Sequence, residues 1–167
     1  PATAVGTAAG VVRVVTGADG SRVVDTSGAE QNRVIADVSG AAIIIDDIVK
    51  VKAGPGCTAT TGDATRVTCR AATPWQEISI SLGRGDDVFN HPDDSYITLF
   101  LPLRIDGGAG NDTINGSWVD DVLFGGDGDD FLMGEHGEDV IDGGAGDDRV
   151  LGDGRQFDVT QSYQDTL

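Results

Sequence analysis

Short runs of Val and Ile, broken by Gly, Asp, Ser or Asn, set the pattern of the first half of the chain. Val11–Val15, Arg22–Asp25, Arg33–Val38, Ala41–Ile45 and Ile48–Lys52 each read as a strand. Ile78–Leu82 alternates Ile, Ser, Ile, Ser, Leu, which gives a strand one apolar and one polar face. Helical periodicity is evident nowhere. These strands fit the rungs of an irregular solenoid or a small sandwich, and period alone does not separate the two. From residue 105 onward the pattern changes. A single large aliphatic recurs every nine residues, at Ile114, Leu123, Leu132, Ile141 and Val150, with Val159 in a decaying last copy.

The positions between these aliphatics repeat in the same phase. The copies are Gly107-Gly-Ala-Gly-Asn-Asp-Thr-Ile-Asn115, Gly116-Ser-Trp-Val-Asp-Asp-Val-Leu-Phe124, Gly125-Gly-Asp-Gly-Asp-Asp-Phe-Leu-Met133, Gly134-Glu-His-Gly-Glu-Asp-Val-Ile-Asp142 and Gly143-Gly-Ala-Gly-Asp-Asp-Arg-Val-Leu151. Every copy has Gly at position one and Asp at position six: Asp112, Asp121, Asp130, Asp139 and Asp148. An outlying copy, Leu82-Gly-Arg-Gly-Asp-Asp-Val-Phe-Asn90, places Asp87 and Phe89 at positions six and eight.

The nonads resemble the G-G-x-G-x-D-x-U-x repeat of RTX calcium-binding proteins. The resemblance covers about residues 105–160. More loosely, the whole chain is similar to secreted, hemolysin-type calcium-binding proteins of actinobacterial arrangement. The family implies an all-β fold: a right-handed parallel β-roll, or β-solenoid, in the C-terminal half, continued by an irregular β-rich N-terminal part. The division expected is 1–81 for the N-terminal region, 82–160 for the roll and 161–167 for a C-terminal cap or tail. Physical chemistry accounts for the residue types. Glycine permits positive φ and close backbone approach, so carbonyls can turn toward a shared ion. Calcium takes six to eight hard oxygen ligands, and carboxylates with backbone carbonyls supply them.

In this reading the first six residues of a nonad form a loop and the last three a short strand whose position-eight side chain points inward. Two nonads make one coil, so loops 18 residues apart stack. One edge stacks 107–112, 125–130 and 143–148, and 82–87 joins it if residues 91–104 form a return loop and strand. The other edge stacks 116–121, 134–139 and 152–157. It is degenerate, because Ser117 and Val119 replace glycines and Phe157 replaces the last Asp. The stronger sites are therefore expected on the first edge. The ligands expected are Asp112, Asp130 and Asp148, then Asp87, Asp121 and Asp139. Asp127 and the loop glycines Gly107, Gly108, Gly110, Gly125, Gly126, Gly128, Gly143, Gly144 and Gly146 complete the set. About four calcium ions follow if each stacked pair holds about one.

Charge adds to this picture. The chain has 167 residues and a formal net charge of −17. Residues 105–154 hold 14 acids and one base, Arg149. Without metal this block repels itself around a thin line of aliphatics, so calcium binding and folding are expected to be coupled. The acidity excludes nucleic acid as a partner, since no basic stripe is present to meet phosphates. No apolar run reaches the length of a transmembrane segment.

Cys57 and Cys69 are the only cysteines. They read as two strands or strand ends closed by a disulfide around a Thr61-Gly62-Asp63 turn, which fits a secreted, extracellular protein. Two free buried thiols or a metal pair are the alternatives. With His91 and His136 both distant, no zinc framework forms. The start at Pro1-Ala-Thr-Ala reads as a mature N-terminus. H-E-x-x-H and G-x-S-x-G are both absent, so neither a zinc protease nor a lipase is expected. An EF-hand starting at Asp127 fails, because Leu132 stands where its glycine must be.

The function expected is a non-catalytic, calcium-stabilised structural protein. Two alternatives stay open. One is a subunit of an extracellular filament or matrix, self-associating end to end through the solenoid ends. The other is a calcium-dependent adhesin for carbohydrate or a cell surface, with Trp75 and Trp118 as candidate stacking residues.

Overall fold

The computed structural model describes residues 10–16, 20–26, 31, 33–39, 42–46, 52–53, 56–70, 75–90 and 100–153. Among them every regular element is a strand. The N-terminal strands are β1 (Gly10–Thr16), β2 (Gly20–Thr26), β3 (Arg33–Ser39), β4 (Ala42–Asp46), β5 (Lys52–Ala53), β6 (Cys57–Thr60) and β7 (Asp63–Arg70). The strands of the repeat region are β8 (Trp75–Arg84), β9 (Val88–Asn90), β10 (Leu103–Ala109), β11 (Thr113–Asn115), β12 (Val122–Asp127), β13 (Phe131–Glu135), β14 (Val140–Ala145) and β15 (Arg149–Asp153).

Two sheets run through the whole assembly. One has the order β14-β12-β10-β8-β1-β2-β5, the other β15-β13-β11-β9-β3-β4-β7-β6. From β8 to β15 successive strands alternate between the sheets, and every pairing among them is parallel. Two nonads thus make one coil: Leu123 lies beside Ile105 and Ile141, each 18 residues away. The first coil is offset. Ile105 pairs with Ile80 and Gly108 with Gly83, so the 82–87 loop does join the stack, with residues 91–99 outside the described residues.

The N-terminal strands extend the same two sheets with mostly antiparallel pairing. β1 lies antiparallel to β8 and β2, and β4 lies antiparallel to β3 and β7, whereas β3 is parallel to β9. This resolves the choice between solenoid rungs and a sandwich. The region is a sandwich whose sheets are continuous with the coils. Of the expected strand Ile48–Lys52, Lys52 opens β5 and residues 47–51 lie outside the described residues.

The β6–β7 hairpin carries the disulfide. Cys57 and Cys69 are direct cross-strand partners and are bonded. The turn between them is held by Asp63, whose Oδ1 accepts hydrogen bonds from Thr65 N at 3.0 Å and Thr65 Oγ1 at 2.6 Å. No free cysteine remains.

The core is a single line of side chains between the sheets. Ile114, Leu123, Leu132 and Ile141 from position eight continue into Ile105, Phe89, Leu103, Leu82, Ile80 and Ile78, then Ile43, Ile45 and Val67. Val150 packs on it half-buried. Truncating Leu123, which is fully buried, to Ala should cost about 2–5 kcal/mol. Val140→Ala, at a 56% exposed site one strand over, should cost less than about 0.5 kcal/mol. Urea unfolding of the two variants checks the contrast.

Candidate metal centre

The loops 82–87, 107–112, 125–130 and 143–148 stack along one edge. Their backbones are tied by Gly85 N to Ala109 O at 2.7 Å, Gly110 N to Asp127 O at 2.8 Å and Gly128 N to Ala145 O at 2.7 Å. The first three residues of each full nonad prove to be strand rather than loop. β12 and β14 run on through position three, and the turn is confined to positions four to six. Glycine makes this possible. At Gly126, with φ +121°, a Cβ would collide with the Gly108 carbonyl of the coil before. At Gly125 a Cβ would collide with Asp130 Oδ2 and with the Gly143 carbonyl of the coil after.

Those collisions locate the chemistry. The position-six carboxylates form a column beside the glycine carbonyls. Asp87 N donates to Asp112 Oδ1 at 2.8 Å, Asp112 N to Asp130 Oδ1 at 2.7 Å, and Asp130 N to Asp148 Oδ1 at 2.9 Å. Each Oδ1 therefore reaches back to the preceding coil. The second oxygens differ: Asp112 Oδ2 and Asp130 Oδ2 are buried and have no hydrogen-bond partner. Asp87, Asp112 and Asp130 are buried and Asp148 is half-buried.

A buried anion without a donor is costly. Burial pushes the Asp112 carboxyl up to about 7. The Asp87 amide opposes the shift, and the neighbouring charges of Asp87, Asp130 and Asp86 add to it. Asp130 is raised to about 6 by burial first, against the hydrogen bond from Asp112 N and with the charges of Asp148 and Asp129. A cation in the column would oppose both shifts by favouring the ionised carboxylates. Among the described residues no three His, Cys, Asp or Glu side chains converge, so backbone carbonyls must supply much of any coordination shell. Carboxylate plus carbonyl oxygen is a hard donor set, suited to calcium rather than to zinc.

A second column runs outside the first and escaped the sequence reading. Asn111 N donates to Asp86 Oδ1 at 2.9 Å, Asp129 N to Asn111 Oδ1 at 3.0 Å, and Asp147 N to Asp129 Oδ1 at 2.9 Å. These are the position-five residues, and their bonds run in the opposite sense to those of position six. The signal was present, because position five carries Asn, Asp or Glu in all five copies. Asp127, expected among the ligands, is exposed at position three, and its carbonyl accepts from Gly110 N.

The other edge is built differently. Loops 116–121 and 134–139 stack through Gly116 N to Met133 O at 2.6 Å, His136 N to Ser117 O at 3.2 Å and Asp121 N to Asp139 Oδ1 at 3.0 Å. Glu138 N donates to Asp120 Oδ1 at 2.8 Å, repeating the outer column. Asp121 is buried and Asp139 half-buried. Burial raises Asp121 to about 6, against hydrogen bonds from Leu103 and Ser117 and with the charge of Asp139. On the surface of this edge Trp118 sits between Phe100 and His136, with ring centroids 6.3 Å and 4.3 Å away. Residues 154–157, the rest of the third loop expected here, and His91 lie outside the described residues.

Comparison with known proteins bears on the same stretch. The family model described as RTX calcium-binding nonapeptide repeat (4 copies) matches residues 104–123 and 115–150. No curated protein and no solved structure matches the chain. The match falls on the coils that carry the carboxylate column, so residues 104–150 are RTX calcium-binding nonapeptide repeats, whose family binds calcium and implies a β-roll.

Proposed function

We propose that the chain is a non-catalytic, secreted calcium-binding protein with an extracellular structural role, its right-handed parallel β-roll holding ions between stacked loops. The observation that carries this reading is the pair of buried oxygens without donors, Asp112 Oδ2 and Asp130 Oδ2, beside glycine carbonyls of the adjoining coils. Asp87, Asp112, Asp130 and Asp148 are the first-edge ligands, with carbonyls from Gly107, Gly108, Gly110, Gly125, Gly126, Gly128, Gly143, Gly144 and Gly146 as the backbone donors. The four first-edge loops leave three gaps, so about three ions sit on this edge. Calcium supplies positive charge where the acidic block has none and links one coil to the next, so binding drives folding. The disulfide suits an oxidising compartment, and among the described residues no helix is long and apolar enough to cross a membrane.

The decisive experiment is calcium titration of chelator-stripped protein by circular dichroism. The β signal should rise at about 10⁻⁴–10⁻³ M calcium, the range of extracellular modules, and magnesium should be ineffective. No change on adding calcium would overturn the reading. Asp130→Ala should shift the midpoint most, by about tenfold or more, because loop 125–130 is stacked between loops 107–112 and 143–148 and its carboxylate can contribute to a site on either side.

The pH dependence should have opposite signs with and without metal. In chelator, Asp112, Asp121 and Asp130 have folded values of about 7, 6 and 6, above the ordinary 3.8. Their protonation then favours the fold. That contribution is complete below about pH 4 and is lost as the pH rises through about 6–7. The β signal in chelator should therefore be larger at about pH 5 than at about pH 8. Calcium needs the deprotonated carboxylates, so its affinity should fall over the same interval as the pH drops.

An adhesive reading has one observation in its favour, the exposure of Phe100 and Trp118 at 64% and 43%. Calcium-dependent binding to a glycan array that Trp118→Ala abolishes would support it.

A further inference from the structure

We propose that Ser117 stands in for a metal ion in loop 116–121, so that this loop closes without calcium and no ion lies between it and loop 134–139. The proposal rests on the calcium reading of the stacked loops and adds which gap stays metal-free, and why.

Two independent observations single the loop out. The first is its backbone. At position two, Gly83, Gly108, Gly126 and Gly144 have φ between 99° and 121°, and even Glu135 takes φ 70°, the one described non-glycine with positive φ. Ser117 does not take this conformation. At position four, Gly110, Gly128, Gly137 and Gly146 have φ of 127–140°, and Val119 does not. The left-handed turns that carry the carbonyls of the other loops are thus absent at both places. The loop also contributes nothing to strand β11, which stops at Asn115, whereas β10, β12 and β14 continue through position three.

The second observation is the carboxylate. Asp121 Oδ1 accepts from Leu103 N at 2.7 Å and from Ser117 Oγ at 2.9 Å, and Asp121 Oδ2 accepts from Ser117 N. Asp112 and Asp130 have one donor on Oδ1 and none on Oδ2. Ser117 is fully buried, so water does not compete for its hydroxyl. Both oxygens of Asp121 are occupied by three protein donors from the loop and the adjoining strand, so neither is left open toward a cation. Stacking survives, since Asp121 N still donates to Asp139 Oδ1 and Val140 N to Asp121 O. The coil keeps its register while giving up an ion.

The test is ion counting on the full chain by native mass spectrometry and calorimetric calcium titration. The double variant Ser117→Gly with Val119→Gly restores the glycine pattern and should bind one more calcium per chain than the wild type. Ser117→Ala should keep the wild-type count but unfold at lower urea in saturating calcium. Asp121→Asn should leave the count unchanged. A folded double variant with the wild-type count, or loss of one ion in Asp121→Asn, would overturn the proposal. If the double variant does not fold, Asp121→Asn decides alone. Wild-type protein that takes up no calcium would overturn the calcium reading itself, and this proposal with it.

Discussion

Everything in the repeat region depends on placing carboxylates in a column inside the edge of a protein. Winding the chain with an 18-residue coil brings Asp112, Asp130 and Asp148 into bonded succession, whatever their charges do to one another. The column dictates its surroundings. A carboxylate oxygen fills the space where a Cβ would stand at Gly107, Gly125 and Gly143, joined at the first two by a carbonyl of the next coil, so that position is closed to other residues. From β11 onward the apolar core is reduced to one side chain per strand, too little to hold such charge by itself. The same arrangement that buries carboxylate oxygens without donors offers a hard donor set to a cation. On the proposed calcium reading, stability and binding become one property rather than two.

Much of this was legible before any coordinates. The repeat fixes the coil length, the inward aliphatics and the Asp column, because a strict nine-residue period leaves few ways to wind. Cys57 and Cys69 were readable as a hairpin closure from the turn residues between them. The N-terminal arrangement was not readable. Alternating Val and Ile specify that a strand has a buried face, but not which neighbour it pairs with or in which direction. The outer column was missed for another reason: Asn and Asp at position five look like ordinary solvated polar residues until the coils are stacked. Ser117 read as a defect in the repeat, and only the structure shows its hydroxyl and amide donating to the Asp121 carboxylate.

The N-terminal sandwich gives the coils a start that owes nothing to metal. β8 belongs to both parts, bordered by antiparallel β1 and parallel β10. The first parallel coil therefore grows from an edge already set by antiparallel pairing and, further out, by a disulfide-closed hairpin. Local hairpins close with little loop entropy, whereas parallel coils need longer closures. The antiparallel part thus offers the cheaper point of nucleation for the coils that follow.

The two side-chain columns run in opposite senses, position six passing donors toward later coils and position five toward earlier ones. Every coil therefore presents the same pair of complementary halves to whatever lies above and below it. Coil number becomes a free parameter, since excising or duplicating a block of 18 residues would re-form each bond with an equivalent partner. The step of 25 residues from Asp87 to Asp112 shows where extra length is absorbed, in the return segment between β9 and β10 rather than in the register of the columns. Such a design behaves like a tape that can be lengthened or shortened by unequal recombination, each new length ready-made to close on itself.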